Sequence, residues 1–206
     1  MKIGILIHGL DNVDFAAYVN HCALMASLPK QYEYAFFTIR NTNVCQARNA
    51  LIDLAIEHKV DKILLLDTDH IFPLDILSKL MEVDADMVSG LICKRRDKFI
   101  QVGYVYKDGL FSSVLMPPNS GIYNVDTCAF GCTLIDMSII HDIKKPYFYD
   151  GGERKIRSDL NFCLDAKALN KKIVIHSGVL CGHLVSEPLI VYPYNNLKIK
   201  NIIENL

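Results

Sequence analysis

Two carboxylates one residue apart, Asp67 and Asp69, directly follow the apolar run Ile63–Leu66. Four consecutive apolar residues predict a strand that is buried on both faces of a parallel sheet. Ligands of open α/β sheets bind beyond the carboxyl ends of the strands, where this pair is expected. Carboxylates so close repel each other unless a cation or solvent separates them, and divalent ions that carry substrate phosphates prefer oxygen ligands. The pair indicates a metal site for a phosphorylated substrate, while a plain acidic turn fits the same residues.

A second candidate, Arg48, lies in a helix predicted to begin after residues 41–43, whose Asn and Thr side chains are suitable N-caps. The apolar positions of this helix repeat at helical spacing and are Val44, Ala47, Leu51, Leu54 and Ala55. Arg48 and Asn49 lie off that apolar stripe, in the first turns of the helix and close to the expected strand ends. A guanidinium there can bind a diphosphate through two parallel hydrogen bonds. An arginine on a solvated helix face fits the sequence equally well.

The composition restricts the class of protein. The chain has 206 residues, of which 51% are hydrophobic and 22% are charged, as expected for a single globular domain over residues 1–206. A net charge of −1 provides no overall basic field for nucleic acid. Seven scattered cysteines without a C-x-x-C motif, and the lack of a secretory signal, predict reduced thiols in a cytoplasmic protein. No apolar run is long enough to predict a transmembrane segment.

The rest of the chain alternates between strand-like and helix-like segments. This predicts an α/β fold: a single-domain, mostly parallel sheet flanked by helices, with a small antiparallel hairpin. Strands are predicted at residues 3–7, 34–39, 63–66, 86–92, 126–135 and 172–176, and helices at 15–28, 44–55, 74–83 and 159–170. The hairpin is predicted over residues 102–116, with its turn at residues 107–109. Residues 146–158 are expected to form a mobile loop, and residues 187–206 a C-terminal helical tail that packs on the body or on another subunit.

Two further segments bear on ligand chemistry. The chain after the first strand, Gly9-Leu10-Asp11-Asn12, lacks the G-x-G-x-x-G and P-loop patterns. Hydride transfer and a P-loop nucleotide site therefore lose their main support. Residues 94–96, Lys-Arg-Arg, form a basic cluster that can steer an anionic substrate or remain a solvated surface.

In their order and spacing, several short motifs resemble small GT-A-type glycosyltransferases, close to the family 2 enzymes of bacteria and phages. The motifs are Ala47-Arg48-Asn49-x-Leu51, Leu65-Leu66-Asp67-Thr68-Asp69 with Phe72-Pro73, Ser89-Gly90-Leu91 through Arg95-Arg96, Ala129-Phe130-Gly131-x-x-Leu134-Ile135, Asp159-x-x-Phe162-Cys163 and Gly182-His183-Leu184. The resemblance covers residues 47–184 and implies a GT-A-like, Rossmann-related fold. One position departs from the family: Ser158 stands where a glutamate often precedes the aspartate. The acceptor is therefore not indicated by analogy.

The resemblance implies a specific site. Asp67, Asp69 and His183 would hold a divalent ion, Mn²⁺ or Mg²⁺, on the diphosphate of a nucleotide sugar, with a UDP-sugar expected. Asp159 would be the general base that takes the proton from an acceptor hydroxyl, so that transfer inverts the sugar. The donor-binding residues at this sheet edge would also include His8, Arg40, Arg48 and Thr68. The acceptor hydroxyl can belong to a glycan, a protein, a small molecule or a modified nucleic acid.

Two other functions stay open on the sequence. A nucleotidyltransferase would also place acidic metal ligands beside a nucleotide site. It would normally have a glycine-rich basic loop after the first strand, and residues 9–11 are a poor match. A catalytically silent module that binds a nucleotide or a glycan would have the same fold, and only turnover distinguishes it from an enzyme. The remaining histidines, including His70 beside the carboxylates, are expected to be structural.

Overall fold

The computed structural model describes residues 1–9, 12–40, 42–94, 100–186, 189–191 and 196–198, and from residue 185 onward it describes the backbone alone. The strands are β1 (Lys2–Gly9), β2 (Glu33–Arg40), β3 (Lys62–Asp67), β4 (His70–Ile71), β5 (Met87–Leu91), β6 (Gly103–Lys107), β7 (Leu110–Ser113), β8 (Ile122–Asn124), β9 (Thr127–Cys128), β10 (Cys132–Asp136), β11 (Ile173–Leu180), β12 (Gly182–Ser186), β13 (Leu189–Val191) and β14 (Asn196–Lys198). The helices are α1 (Phe15–Ser27), α2 (Val44–Glu57), α3 (Ile76–Met81), α4 (Met137–Asp142) and α5 (Ser158–Ala168). The predicted basic residues Arg95 and Arg96 lie outside the described residues.

Seven of these strands form the central sheet, in the order β2-β1-β3-β10-β5-β11-β8. Strands β2, β1, β3, β5 and β11 run in one direction, while β10 and β8 run against them. The predicted α/β class with a mostly parallel sheet is thus confirmed. Strands β1 and β3 pair in parallel with His8 opposite Asp67, so their carboxyl ends meet at one edge of the sheet.

The two faces of β3 contact different halves of the hydrophobic core. Ile63 and Leu65 pack on one face with residues of α2, α4 and α5, whereas Leu64 and Leu66 pack on the other with residues of α1 and α3. All four side chains are at most 3% exposed, which confirms the predicted burial on both faces. Because protein interiors are close-packed and rigid, this strand holds Asp67 at its end in a defined position.

Two smaller antiparallel sheets lie beside the central one. One has the order β14-β13-β12-β4, and the pairing of β4 with β12 sets His70 directly opposite His183. The other has the order β7-β6-β9 and contains the predicted hairpin as β6 and β7. Its two-residue turn, Asp108-Gly109, has positive φ angles of 52° and 82°, which matches the twist of the paired strands.

Two local predictions need correction. The strand predicted over residues 126–135 is interrupted at residues 129–131, so β9 and β10 belong to different sheets. The helix predicted for the tail, residues 187–206, is wrong where the structure describes it, because residues 189–191 and 196–198 are strands. The edge of β12 offers unpaired backbone groups, and pairing with them outweighs the helical spacing of the apolar residues. Self-association through this tail stays a prediction.

The sequence did not predict four short elements, β4, β8, β12 and α4. They contain two, three, five and six residues, too few to show a hydrophobic period. The other predicted elements are present with ends shifted by a few residues. Within the described ranges, none of the helices has the length and apolar character needed to cross a membrane.

Candidate active site

A cleft of about 1160 Å³ lies where β3 ends and α5 begins. Five of the site residues predicted from the sequence line this cleft: Arg48, Asp67, Asp69, Asp159 and His183. They come from α2, the end of β3 and the turn after it, the first turn of α5, and β12. Ligand pockets of roughly 300–1,000 Å³ accommodate drug-sized molecules, so the cleft has room for a nucleotide and a second substrate.

Arg48 and Asp67 form a charge pair at the inner end of the cleft. The Nη2 atom of Arg48 lies 3.3 Å from Oδ1 of Asp67, and the Arg48 side chain is 8% exposed. Its guanidinium lies beside two aromatic rings, 5.4 Å from the centre of Phe130 and 5.6 Å from that of Phe148. Burial alone would raise the pKa of Asp67, but the nearby Arg48 charge lowers it overall. Asp67 is therefore a carboxylate at neutral pH, and Arg48 is not a solvated surface arginine.

His8, Arg40 and Thr68 lie at the same edge of the sheet but are not among the residues that line the cleft. The strand registers place His8 opposite Asp67, and Arg40 opposite Gly9. Thr68 packs closely on Gly9, because a Cβ atom added to Gly9 would lie 2.9 Å from Cγ2 of Thr68. Burial lowers the pKa of His8, although the charge of Asp67 opposes this effect. Their donor-binding role stays a prediction.

Asp69, His70 and His183 bring their ligand atoms within 4.8 Å of one another, which makes them a candidate metal-binding group. His183 Nε2 lies 3.4 Å from Asp69 Oδ2, and His70 Nδ1 lies 2.7 Å from Asp69 Oδ1. The two imidazoles stack with their centres 4.2 Å apart. Asp67 is not part of this group.

The hydrogen bond of His183 explains why a cation suits this group. Its Nδ1 lies 2.9 Å from the carbonyl oxygen of Cys93, and because a carbonyl only accepts, Nδ1 must carry a proton. In a neutral ring Nε2 then carries a lone pair, and this lone pair faces the carboxylate of Asp69. Two acceptors at 3.4 Å require a proton or a metal ion between them. The same arrangement, a histidine tied to a carbonyl through its other nitrogen, orients metal-binding imidazoles in general.

His70 was expected to be structural, but it contacts the predicted ligands directly. It is 3% exposed, and burial followed by the charge of His183 lowers its pKa to about 3. A neutral His70 donates Nδ1–H to Asp69 Oδ1, which leaves the buried Nε2 without a hydrogen-bond partner. That ring edge packs on Gly131, where a Cβ would lie 2.8 Å from His70 Cε1. His70 therefore orients the Asp69 carboxylate, and its position next to Asp69 was the available sequence signal.

Asp159 lines the cleft from the first turn of α5, with its side chain 18% exposed. Its Oδ1 accepts from the backbone N–H of Leu160 at 3.0 Å and lies 4.0 Å from Arg157 Nε. Asp150 also holds the helix start, because its Oδ1 accepts from the backbone N–H of Ser158 at 2.8 Å. The N-cap position of α5 is Arg157, so Asp159 is not the N-cap residue, although Asp150 and Asp159 each accept one backbone N–H of the first turn.

Asn49 holds the beginning of the loop predicted over residues 146–158. Its Oδ1 accepts from the backbone N–H groups of Tyr147 and Phe148, at 2.8 and 3.1 Å, and its Nδ2 donates to the Phe148 carbonyl at 2.7 Å. Residues 152–155, farther along the loop, are exposed. Mobility of the loop stays a prediction. A polar residue off the apolar stripe of α2 was the only sequence signal for the role of Asn49.

The opposite wall of the cleft is formed in part by the hairpin. Tyr104 and Phe111 line it, together with Lys94, the described member of the predicted basic cluster. Lys94 Nζ lies 6.0 Å from the centre of the Tyr104 ring. The cleft thus combines an acidic end that can hold a metal with an aromatic wall that carries a positive charge.

Comparisons with known proteins bear on the fold. No protein-family model matches the chain, and no curated protein matches it. The crystal structure of A197 from STIV superposes with a TM-score of 0.69 at 20% identity, covering 96% of this chain and 94% of that chain. The structure of GalNAc-T7 with UDP, GalNAc and Mn²⁺ superposes with a TM-score of 0.62 at 13% identity, covering 89% of this chain and 43% of that chain. The chain has a GT-A-like fold. At these identities the likeness shows the fold alone, and it confirms the fold that the sequence motifs implied.

Proposed function

We propose that the protein is a metal-dependent glycosyltransferase that transfers a sugar from a nucleotide-diphosphate sugar, a UDP-sugar, to an acceptor hydroxyl with inversion. The observation that carries this proposal is the convergence of the Asp69–His183 pair, the Arg48–Asp67 pair and Asp159 on one cleft. The GT-A-like fold supports it, as does the presence of UDP and Mn²⁺ in the structure of GalNAc-T7.

The donor atoms at the acidic end fit a divalent ion. Asp69 Oδ2 and His183 Nε2 would hold it, and we propose Asp67, which lines the same cleft, as a further ligand. Mixed carboxylate and imidazole ligands suit Mn²⁺ better than Mg²⁺, which prefers oxygen and keeps its waters. When bound, such an ion neutralises charge on the diphosphate of the donor.

Arg48 has a supporting role in this proposal. Its guanidinium, which packs beside two aromatic rings, keeps the Asp67 carboxylate oriented and adds positive charge at the diphosphate end of the cleft. A charge that is already in place needs no rearrangement as the leaving group becomes more negative. His8, Arg40 and Thr68 are proposed to complete the donor site from the neighbouring strand ends.

Asp159 is the proposed general base. As the acceptor oxygen forms its bond to the anomeric carbon, the bond from that carbon to the diphosphate breaks, and Asp159 takes the hydroxyl proton. One such displacement inverts the anomeric configuration, so an α-linked donor yields a β-linked product. The position of the partly exposed Asp159 carboxylate in the cleft lining supports this role.

The deciding experiment is incubation of the protein with a panel of nucleotide sugars and Mn²⁺, followed by measurement of the released phosphates. Release of nucleoside diphosphate that is lost in Asp69→Asn supports sugar transfer. Release of sugar 1-phosphate would instead indicate a nucleotidyltransferase, because transfer of the nucleotidyl group leaves the sugar phosphate behind. Binding of nucleoside diphosphate without turnover in the presence of any acceptor would indicate a silent binding module.

A further inference from the structure

One face of the β6–β7 hairpin forms a wall of the cleft that the donor chemistry does not use. Tyr104 and Phe111 contribute this wall. Strand β9, the third strand of the same sheet, packs against α5, the helix whose first turn carries Asp159. The hairpin is therefore attached on the Asp159 side of the cleft, where an acceptor must lie if Asp159 is to take its proton.

The hairpin presents a continuous aromatic face. Tyr106 is paired with Phe111, and Tyr104 is two residues away on the same strand, so the three rings share one face. The Phe111 ring centre lies 4.7 Å from that of Tyr106 and 6.1 Å from that of Tyr104. Aromatic cross-strand pairs stabilise hairpins on any surface, but two of these rings also line a ligand-sized cleft. Because an aromatic face carries partial negative charge, it can bind the C–H groups on the face of a sugar ring.

Positive charge lies beside both the aromatic face and the proposed base. Lys94 Nζ is 6.0 Å from the Tyr104 ring centre, and Arg157 Nε is 4.0 Å from Asp159 Oδ1 with its side chain 86% exposed. Lys155 also lines the cleft. Several carboxylates of the lining are already engaged within the protein: Asp67 with Arg48, Asp69 with His70, and Asp150 with the N-terminus of α5. Lys94, Lys155 and Arg157 can therefore provide positive charge to a ligand in this part of the cleft.

We infer that the acceptor is an acidic saccharide, an inference that rests on the proposed sugar transfer. Its sugar ring stacks on Tyr104 and Phe111, and a single carboxylate or phosphate pairs with Lys94 and Arg157 while a hydroxyl faces Asp159. A nucleic acid fits less well for two reasons. The cleft is lined by four aspartates, and the chain, with a net charge of −1, lacks the basic surface that neutralises many phosphates.

The inference is tested by calorimetric titration with three probes: a trisaccharide that ends in glucuronate, the same trisaccharide ending in glucose, and a short oligothymidylate. We expect the glucuronate probe to bind about fivefold more tightly than the glucose probe, as for one partly exposed ion pair. This difference should shrink at high salt because exposed charges are screened. Equal affinities for the acidic and neutral trisaccharides, or tighter binding of the oligothymidylate, would overturn the inference.

Matched variants on the two faces of β6 locate the site. Tyr104→Ala should weaken the glucuronate probe by roughly fivefold to tenfold, Tyr104→Phe should bind it like the wild type, and Lys94→Gln should abolish the preference for the acid. The controls are Val105→Ala and Lys107→Gln, which alter the opposite face of the same strand. They should change neither the affinity for the glucuronate probe nor the preference for the acidic over the neutral trisaccharide. Equal weakening in the controls would overturn the inference.

Donor binding separates failure of this inference from failure of the proposed function. Stabilisation by UDP and Mn²⁺ is expected in the wild type and in the Tyr104 and Lys94 variants alike. If that stabilisation is present and the acidic trisaccharide does not bind, the acceptor inference is wrong and sugar transfer stands. If the wild type shows no stabilisation with UDP or any other nucleoside diphosphate, the proposed function is wrong.

Discussion

The side chains at the acidic end of the cleft are each oriented by a neighbouring group. His70 donates to Asp69, the Cys93 carbonyl accepts from His183, and the Arg48 guanidinium packs beside the rings of Phe130 and Phe148. Such supporting contacts decide how well a metal ligand or a charge is aimed, and their loss typically lowers metal affinity roughly 10–100-fold. Residues behind the cleft should therefore matter almost as much as those that line it.

The metal site can be tested by replacing its two histidines separately. His70→Phe keeps the ring packing but loses the N–H donated to Asp69, so Mn²⁺ affinity in the presence of UDP should fall by roughly 10–100-fold. His183→Ala should weaken Mn²⁺ binding further and erode the preference for Mn²⁺ over Mg²⁺. Electron paramagnetic resonance of free Mn²⁺ measures both affinities, with exposed His141→Ala as the control. Wild-type affinity in His183→Ala would mean that His183 is not a ligand.

Asp159→Asn tests the general base. The amide has the same shape, so UDP and Mn²⁺ should bind as in the wild type, while the transfer rate should fall by roughly 10²–10⁴-fold. Rapid-quench measurement of one turnover separates the chemical step from binding. A rate within a few-fold of the wild type would assign Asp159 another role.

At the scale of elements, helix and strand ends converge on the cleft through contacts between distant segments. Asp150, in the loop before α5, holds the first turn of that helix. Asn49, on α2, holds the backbone of Tyr147 and Phe148 in the same loop. This loop therefore connects two helices that present functional side chains, and its geometry determines where Asp159 points.

Asp150→Ala should show which aspartate caps α5. Loss of the hydrogen bond from Asp150 to the backbone of Ser158 should lower the free energy of unfolding by about 1 kcal/mol, the usual effect of losing a cap. Asp159→Ala should change it by less than roughly 0.5 kcal/mol. Urea denaturation measures both, and the reverse ranking would show that Asp159 is the cap.

α1 carries a half-buried histidine, His21, that should make stability depend on pH. Burial lowers the pKa of His21, and its Nε2 has no hydrogen-bond partner. The unfolded chain therefore binds a proton at His21 that the folded chain rejects, so stability falls as the pH drops below about 6.5 and stops falling once the folded pKa is passed. His21→Phe should reduce the stability lost between pH 7 and pH 5. Identical pH profiles in urea for variant and wild type would contradict this effect.

At the scale of the whole molecule, three sheets meet around one cleft. The central sheet supplies Asp67, the sheet of β4 and β12 supplies His70 and His183, and the hairpin sheet supplies Tyr104. A ligand that contacts all three should stabilise their arrangement, because binding to the folded state alone shifts the unfolding equilibrium.

Ligand-induced stabilisation tests this assembly. UDP with Mn²⁺ at a hundredfold excess over Kd should raise the free energy of unfolding of the wild type by about 2.7 kcal/mol and raise its melting temperature. Asp67→Asn and Asp69→Asn should lose most of this gain, because they weaken the proposed ligands. Asp84→Asn, an exposed aspartate outside the cleft lining, is the control and should retain it. Equal gains in all four proteins would contradict the metal site.

The sequence by itself determined the features that depend on neighbours along the chain. The apolar run Ile63–Leu66 could only be a buried strand, and the pair after it had to lie at the carboxyl edge of the sheet. The turn at Asp108-Gly109 likewise specified the hairpin through residues that tolerate positive φ. With the motif order, this information was sufficient for the α/β class and the GT-A-like fold.

The tertiary structure alone decided which distant residues meet. His70 joins the predicted ligands because β4 pairs with β12, and a two-residue strand has no period that reveals its partner. Asp150 joins Asp159 in holding the first turn of α5 because the preceding loop folds back on the helix. Strands replace the predicted helix at residues 189–191 and 196–198 because β12 offers an edge for pairing. Each result depends on hydrogen bonds between separate segments of the chain, and the pattern within one segment does not identify its partner.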